Sequence, residues 1–193
     1  MVQHVCPVWM GYVLASPTRK LFQNPTKILR PYVNEGMTVL DIGCAMGFFS
    51  LPLAKMVGAG GKVICVDIQE RMLRLLEKRA RKAGLSGRIE TLICNGDSLG
   101  LDGIRETVDF ALAFAVVHEV SDPAGFFSEI RMTLKPAGRL LAAEPKGRVS
   151  EKDFDRTVSV AEQNGFIVTE RPRIRSSRAV VFQKVPNKIE RGK

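Results

Sequence analysis

No apolar run in this 193-residue sequence is longer than Phe110–Val117, far short of the roughly 18 to 20 residues that a membrane-spanning helix requires. No span is expected. The opening residues, with His4, Pro7 and Trp9, lack the basic head and continuous apolar stretch of a secretory signal, so a cytoplasmic location is expected. Cysteine is scarce: Cys6, Cys44, Cys65 and Cys94 stand far apart with no C-x-x-C pair, and only two histidines are available as further ligands. No structural metal site is expected. Glycine (17) and proline (10) are near average, which excludes collagen-like and low-complexity chains.

What is present is an ordinary globular balance, with 45% hydrophobic and 25% charged residues and a mean hydropathy of +0.01. One domain of this size buries about 70% of the surface of its unfolded chain and needs no staple. The charge of +9 is unevenly placed: from Arg171 onward eight basic residues face Glu190 alone, so this end carries +7. Such an end attracts nucleic acid or acidic lipid. The other reading is a solvated strand edge guarded by Arg and Lys, followed by a frayed basic tail at 186–193. With no aromatic residue after Phe182 to stack on bases, the second reading is favoured over a nucleic-acid partner.

From Thr38 the sequence alternates β-rich apolar runs with amphipathic helical stretches, the pattern of a mostly parallel α/β sheet with helices on both faces. The strand candidates are Thr38–Ile42, Lys62–Ile68, Ile89–Asn95, Val108–Val116 and Arg139–Glu144. A helix over Glu70–Ala83 puts Met72, Leu73, Leu76, Ala80 and Ala83 on one face and stops at Gly84. Asp122-Pro123 reads as cap and first-turn proline of a helix burying Phe126, Phe127, Ile130 and Leu134, and Ser150 with Asp153 starts another. Phe166–Thr169 and Ala179–Gln183 form an expected antiparallel hairpin at the sheet edge. Residues 1–37, with Trp9, Tyr12, Leu21 and Phe22, are apolar but belong to no strand, and are expected to form a helical arm or lid beside a domain at 38–185.

The first strand runs into Asp41-Ile-Gly43-Cys-Ala-Met-Gly47, a glycine loop where open α/β sheets bind ligands. A phosphate loop would end in Gly-Lys-Ser/Thr, but Gly47 is followed by Phe48-Phe49. A dinucleotide fingerprint counted from Gly43 meets Ala45 and Phe48 where it needs glycines. Asp41 beside the loop would also repel a pyrophosphate while suiting a cationic amino group. S-adenosylmethionine carries an ammonium and a sulfonium and no phosphate. Asp67, ending the second strand about 20 residues later, suits both hydroxyls of a ribose, and Asp97 in Asn95-Gly96-Asp97-Ser98 an adenine amino group. For each acid alone, a solvated strand-end residue is the competing reading; their order along the chain favours function.

The chain therefore resembles class I S-adenosylmethionine-dependent methyltransferases of the small-molecule type, related to the ubiquinone/menaquinone and arsenite methyltransferases. The resemblance is carried by Val39–Gly47, Val63–Asp67, Gly96-Asp97, Val116–Pro123 and Leu134–Leu140, over roughly residues 25 to 185. It implies a Rossmann-like, doubly wound, seven-stranded and mostly parallel sheet with an antiparallel last strand, S-adenosylmethionine across the first, second and fourth strand ends, and substrate above the fourth and fifth. The matching cofactor positions are Asp41, Gly43, Cys44, Ala45, Gly47, Asp67, Ile68, Gly96, Asp97, Ser98 and Phe114. Ala45 and Ala137 stand where the family usually has glycine, and Ala45 tolerates close ligand approach less well.

Methyl transfer from a sulfonium is an in-line displacement helped chiefly by positioning in a dry pocket. A hydroxyl or protonated amine acceptor needs a base. His118 is the candidate, with packing or capping as its other reading, and Glu144 is a weaker candidate for orienting substrate. Cys65 and Cys94 read as small hydrophobes; the alternative is a thiol triad with Cys44 for arsenite or a similar soft metalloid. A small-molecule acceptor is expected. The competing functions are a methyltransferase acting on RNA or protein and a binding protein without catalysis.

Overall fold

The computed structural model describes residues 23–186. The expectations for Trp9, Tyr12, Leu21 and Phe22 of the arm, for Cys6, and for the tail from 187 lie outside the described residues. Seven strands form one sheet in the order β3-β2-β1-β4-β5-β7-β6: β1 Thr38–Ile42, β2 Lys62–Asp67, β3 Ile89–Ile93, β4 Val108–Phe114, β5 Leu134–Pro145, β6 Phe166–Glu170 and β7 Ser177–Lys184. The first five run parallel, and β7 is antiparallel to both β5 and β6. The helices are α1 Pro25–Leu29, α2 Ser50–Met56, α3 Glu70–Lys82, α4 Pro123–Thr133 and α5 Glu151–Gln163. None among the described residues is long and apolar enough to cross a membrane.

Central parallel strands are apolar on both faces because both are covered. Val39, Phe110, Leu112 and Leu141 pack with Leu53 of α2 and Leu73 and Leu76 of α3. Their neighbours Leu40, Ala111, Ala113 and Leu140 pack on the other face with Phe126, Phe127 and Ile130 of α4 and Phe154 of α5. Each fully buried Leu or Phe contributes about 1.5–3 kcal/mol. The caps fall as expected: Asp122 accepts from the N–H groups of Ala124 and Gly125 at 3.1 Å, and the Ser150 hydroxyl accepts from Asp153 N at 3.1 Å. The described part of the arm braces the first face, with Leu29, Tyr32 and Val33 buried and the Tyr32 ring stacked 5.7 Å from Phe110.

Several boundaries differ from the sequence reading for local reasons. β4 stops at Phe114, not Val116, because Ala115 turns left-handed at φ 60°. β2 stops before Ile68, where the Asp67 carboxylate takes the N–H of Gln69 and turns the chain. β5 begins at Leu134 and carries a register irregularity, with Ala137 at φ 61° where the family usually has glycine. Within the basic end, Lys184 departs from the solvated reading. β7 is an inner strand, and Lys184 is 3% exposed with its Nζ donating to Leu134 O at 2.7 Å and Glu106 Oε1 at 2.9 Å.

Candidate cofactor and acceptor site

From β1 the chain builds outward to β2 and β3 on one side and returns through β4 on the other, so a crevice opens at the carboxyl ends of β1 and β4. A cavity of about 460 Å³ fills it, walled by the ends of β1, β2 and β4, the segment after β3 and the turn before β7. The loop after β1 begins with Gly43, exposed and left-handed at φ +68°, where an added Cβ would lie 2.9 Å from Val116 Cγ2. Gly43 N and Cys44 N both donate to Val66 O, at 2.9 and 3.1 Å. Ala45 follows at φ 46°, and its N–H donates to Asp67 Oδ2 at 2.8 Å while Gln69 N donates to Oδ1 at 2.8 Å. The carboxylate of Asp67 thus locks the loop onto β2. The N–H of Ile68 also stabilises it, and of a carboxylate's roughly four acceptor sites at least one is left for a ligand.

Gly43, Cys44, Ala45, Asp67, Ile68, Gly96, Asp97, Ser98, Phe114 and His118 line the cavity together; Asp41, Gly47 and Glu144 stand behind its wall. Gly47, at φ +81°, is required by helix packing: a Cβ there would fall 2.3 Å from Leu76 Cδ1. Asp41 is 2% exposed and accepts from Ser50 Oγ at 2.5 Å. Burial pushes its carboxyl up to about 7, and it does not line the cavity. Across the cavity, Asn95 Oδ1 accepts from Asp97 N and Ser98 N at 3.0 and 2.8 Å, while Ser98 Oγ and Leu99 N each donate to Glu129 Oε2 of α4 at 3.0 Å.

His118 and Glu144 form a pair. The carboxylate of Glu144, 1% exposed, accepts from Val117 N at 2.8 Å through Oε1 and meets His118 Nδ1 at 2.5 Å through Oε2. An acceptor-only carboxylate fixes the proton on Nδ1, so Nε2 is the basic atom of the neutral ring. The hydrogen bond to Glu144 raises the His118 pKa above its ordinary value, against desolvation. Glu144 thus stands behind the His118 ring, which separates it from the cavity. Glu119 Oε1 lies 3.9 Å from His118 Nε2 and 4.0 Å from Arg148 Nη1.

Cys65 is fully buried as a small hydrophobe, and Cys44 and Cys94 line the cavity. Burial holds the Cys44 thiol well up and that of Cys94 at about 11, so both stay protonated at neutral pH. Among the described residues no group of three His, Cys, Asp or Glu side chains is arranged to hold a metal ion.

Among the described residues the carboxylates of the cavity wall are Asp67, Asp97, Glu119, Asp122 and Glu129, against Arg148 and His118. This negative field suits a cationic ligand and repels a phosphate. Sequence reasoning missed Glu129, which on α4 looks like any solvated helix acid. It also missed Gln23, whose Nε2 donates to Ser177 Oγ and Arg175 O at 3.4 Å from 154 and 152 residues away in sequence.

A family model described as a methyltransferase domain matches residues 33–179. The ubiquinone/menaquinone biosynthesis C-methyltransferase UbiE of Escherichia coli K12 is 31% identical over 112 residues, covering 58% of this chain and 44% of that protein. The chain thus spans less than half the length of the curated relatives it matches. Among solved structures, a SAM-dependent methyltransferase from Aquifex aeolicus superposes with a TM-score of 0.83 at 28% identity, over 94% of this chain and 100% of that one. The [4+2]-cyclase SpnF superposes with a TM-score of 0.72 at 16% identity, over 84% and 81%, a likeness of fold alone. With the family match running from β1 through β6 into the first residues of β7 and including the glycine loop, Asp67 and the His118–Glu144 pair, the chain belongs to the methyltransferase-domain family.

Proposed function

We propose that this protein is an S-adenosylmethionine-dependent methyltransferase acting on a small-molecule acceptor. The observation that carries the reading is the acidic cavity behind a left-handed glycine loop: among the described residues, five carboxylates and one arginine on the wall fit a cationic, phosphate-free cofactor. When bound, S-adenosylmethionine supplies an electrophilic methyl group on a sulfonium. Asp67 has acceptor capacity for the ribose hydroxyls and Asp97 for the adenine amino group, while Gly43 keeps the loop open beside them. Phe114 and Met72 supply apolar wall, which limits water.

His118 acts as general base, taking the acceptor's proton on Nε2 while Glu144 holds the ring and stabilises its protonated form. That division needs no proton transfer to Glu144. The scaffold does not by itself set the chemistry, so turnover is the test. Radiolabelled methyl transfer from S-adenosylmethionine into components of a cell extract is expected to survive nuclease and protease treatment and to be lost on removing small molecules. Transfer abolished by nuclease or protease would replace the small-molecule acceptor with RNA or protein, and cofactor binding without any transfer would support a binding protein.

A further inference from the structure

The positive charge has a pocket of its own. Lys146, Arg171, Arg173, Arg175 and Arg178 line a second, more open cavity of about 540 Å³, where Glu151 and Asp155 are the only acids among the described residues. This inverts the charge of the first cavity, and the two adjoin: both are lined by Ser176 and Ser177, and Pro145 of one is followed by Lys146 of the other. The shared turn is fixed by backbone bonds from Lys146 N to Ser176 O at 3.0 Å and from Ser177 N to Ile174 O at 3.1 Å. In the run Arg171-Pro-Arg-Ile-Arg175, Ile174 is buried while all three arginines are exposed.

Arg178 is the distinctive member. It stands opposite Glu144 in the β5–β7 register, so both side chains leave the same face of the sheet. Its Nη2 is 4.0 Å from Glu151 Oε2, while Nη1 is buried without a hydrogen-bond partner among the described residues. A buried, unsatisfied donor calls for an explanation, and a planar guanidinium fork is matched by a phosphate or carboxylate. Among the described residues the only aromatic side chain of the pocket, Phe154, is 3% exposed, so these residues offer no platform for stacked bases.

We infer that this pocket seats an oxyanion, phosphate or carboxylate, carried by the methyl acceptor, which makes the acceptor a small acidic molecule reaching from the arginines past Ser176 and Ser177 to His118. The inference rests on the proposed reading of the first cavity. The test is calorimetric titration of inorganic pyrophosphate and of citrate into the full chain and into Arg178→Gln, Arg178→Lys and Arg173→Gln, with S-adenosylhomocysteine titrated into each. At least one anion is expected to saturate a single site, weakened at least tenfold by Arg178→Gln, about threefold by Arg173→Gln and to an intermediate degree by Arg178→Lys. S-adenosylhomocysteine affinity is expected to stay within twofold throughout. No saturable anion binding, or equal affinity in all variants while S-adenosylhomocysteine binds normally, overturns the anion site and leaves the methyltransferase reading intact. Failure of S-adenosylhomocysteine to bind the unaltered chain removes the acceptor assignment itself. A single-stranded RNA that binds more tightly than either anion and is weakened by the same variants overturns the small-molecule class.

Discussion

Replacing Asp67 with alanine is expected to do two separable things. The carboxylate accepts from Ala45 N and Gln69 N, both at 2.8 Å and largely out of solvent. Losing two such bonds is expected to cost about 2–3 kcal/mol of stability. For a chain of this size that is a fall in melting temperature of roughly 5–10 °C. The same substitution removes the acceptor for a ribose diol, worth about 1.5–3 kcal/mol, or roughly 10- to 150-fold in affinity. Because the loop also loosens, affinity alone is ambiguous. Titrating S-adenosylhomocysteine and its 2′,3′-dideoxy analogue into both proteins separates the effects, since only the ribose term depends on the hydroxyls. Asp67→Ala is expected to weaken the parent ligand at least tenfold more than the dideoxy analogue. Equal losses for the two ligands would refute ribose binding by Asp67 and leave it a loop lock.

Glu144→Gln keeps an acceptor for Val117 N but removes the charge that raises the His118 pKa, so the acidic limb of the kcat/KM profile is expected to move to lower pH, with kcat reduced. His118→Ala is expected to lower kcat about 10²–10⁴-fold with S-adenosylhomocysteine affinity unchanged; an unchanged kcat would make His118 a packing residue. Asp41 holds a proton up to about pH 7 when folded and releases it near 3.8 when unfolded, so its burial costs nothing below the lower value and destabilises progressively as pH rises to the upper one. Asp41→Asn is therefore expected to raise stability at pH 8 by up to about 4 kcal/mol and to change little at pH 4; equal shifts in melting temperature at both would contradict this. Ala45→Gly relieves a left-handed alanine at φ 46° and is expected to gain about 0.5–1 kcal/mol after the entropy cost of glycine, read by denaturant melting. Deleting residues 1–23 removes Gln23 from the acceptor end of the cavity and is expected to lower turnover; full turnover and affinity with a lower melting temperature would leave the arm a brace.

The parallel strands were legible because Val39-Leu40 and Phe110–Ala113 are apolar without interruption, which only a sheet covered on both faces explains. Asp122-Pro123 and Ser150 with Asp153 announce their helices through side chains that bond locally, so no tertiary knowledge was needed. Where β4 and β5 depart from the simple reading, alanines at 115 and 137 occupy left-handed backbone that nothing in their chemistry signals. The acids at the strand ends were visible as candidates, but their depth was not: Asp41 and Asp67 sit on neighbouring strands, one behind the wall and one on it. His118 and Glu144 were each found alone. Their pairing depends on β4 and β5 being neighbours in the sheet, a long-range fact of topology. The charge of Lys184 was misread for the same reason, since an inner β7 buries it over Leu134.

The central claim is that the acidic cavity takes a cationic, phosphate-free nucleoside cofactor. Its most direct test is calorimetric titration of S-adenosylmethionine and of NAD into the unaltered full chain at moderate ionic strength. One saturable site for S-adenosylmethionine and no measurable binding of NAD is the expected result. Saturable binding of NAD with none of S-adenosylmethionine would contradict it.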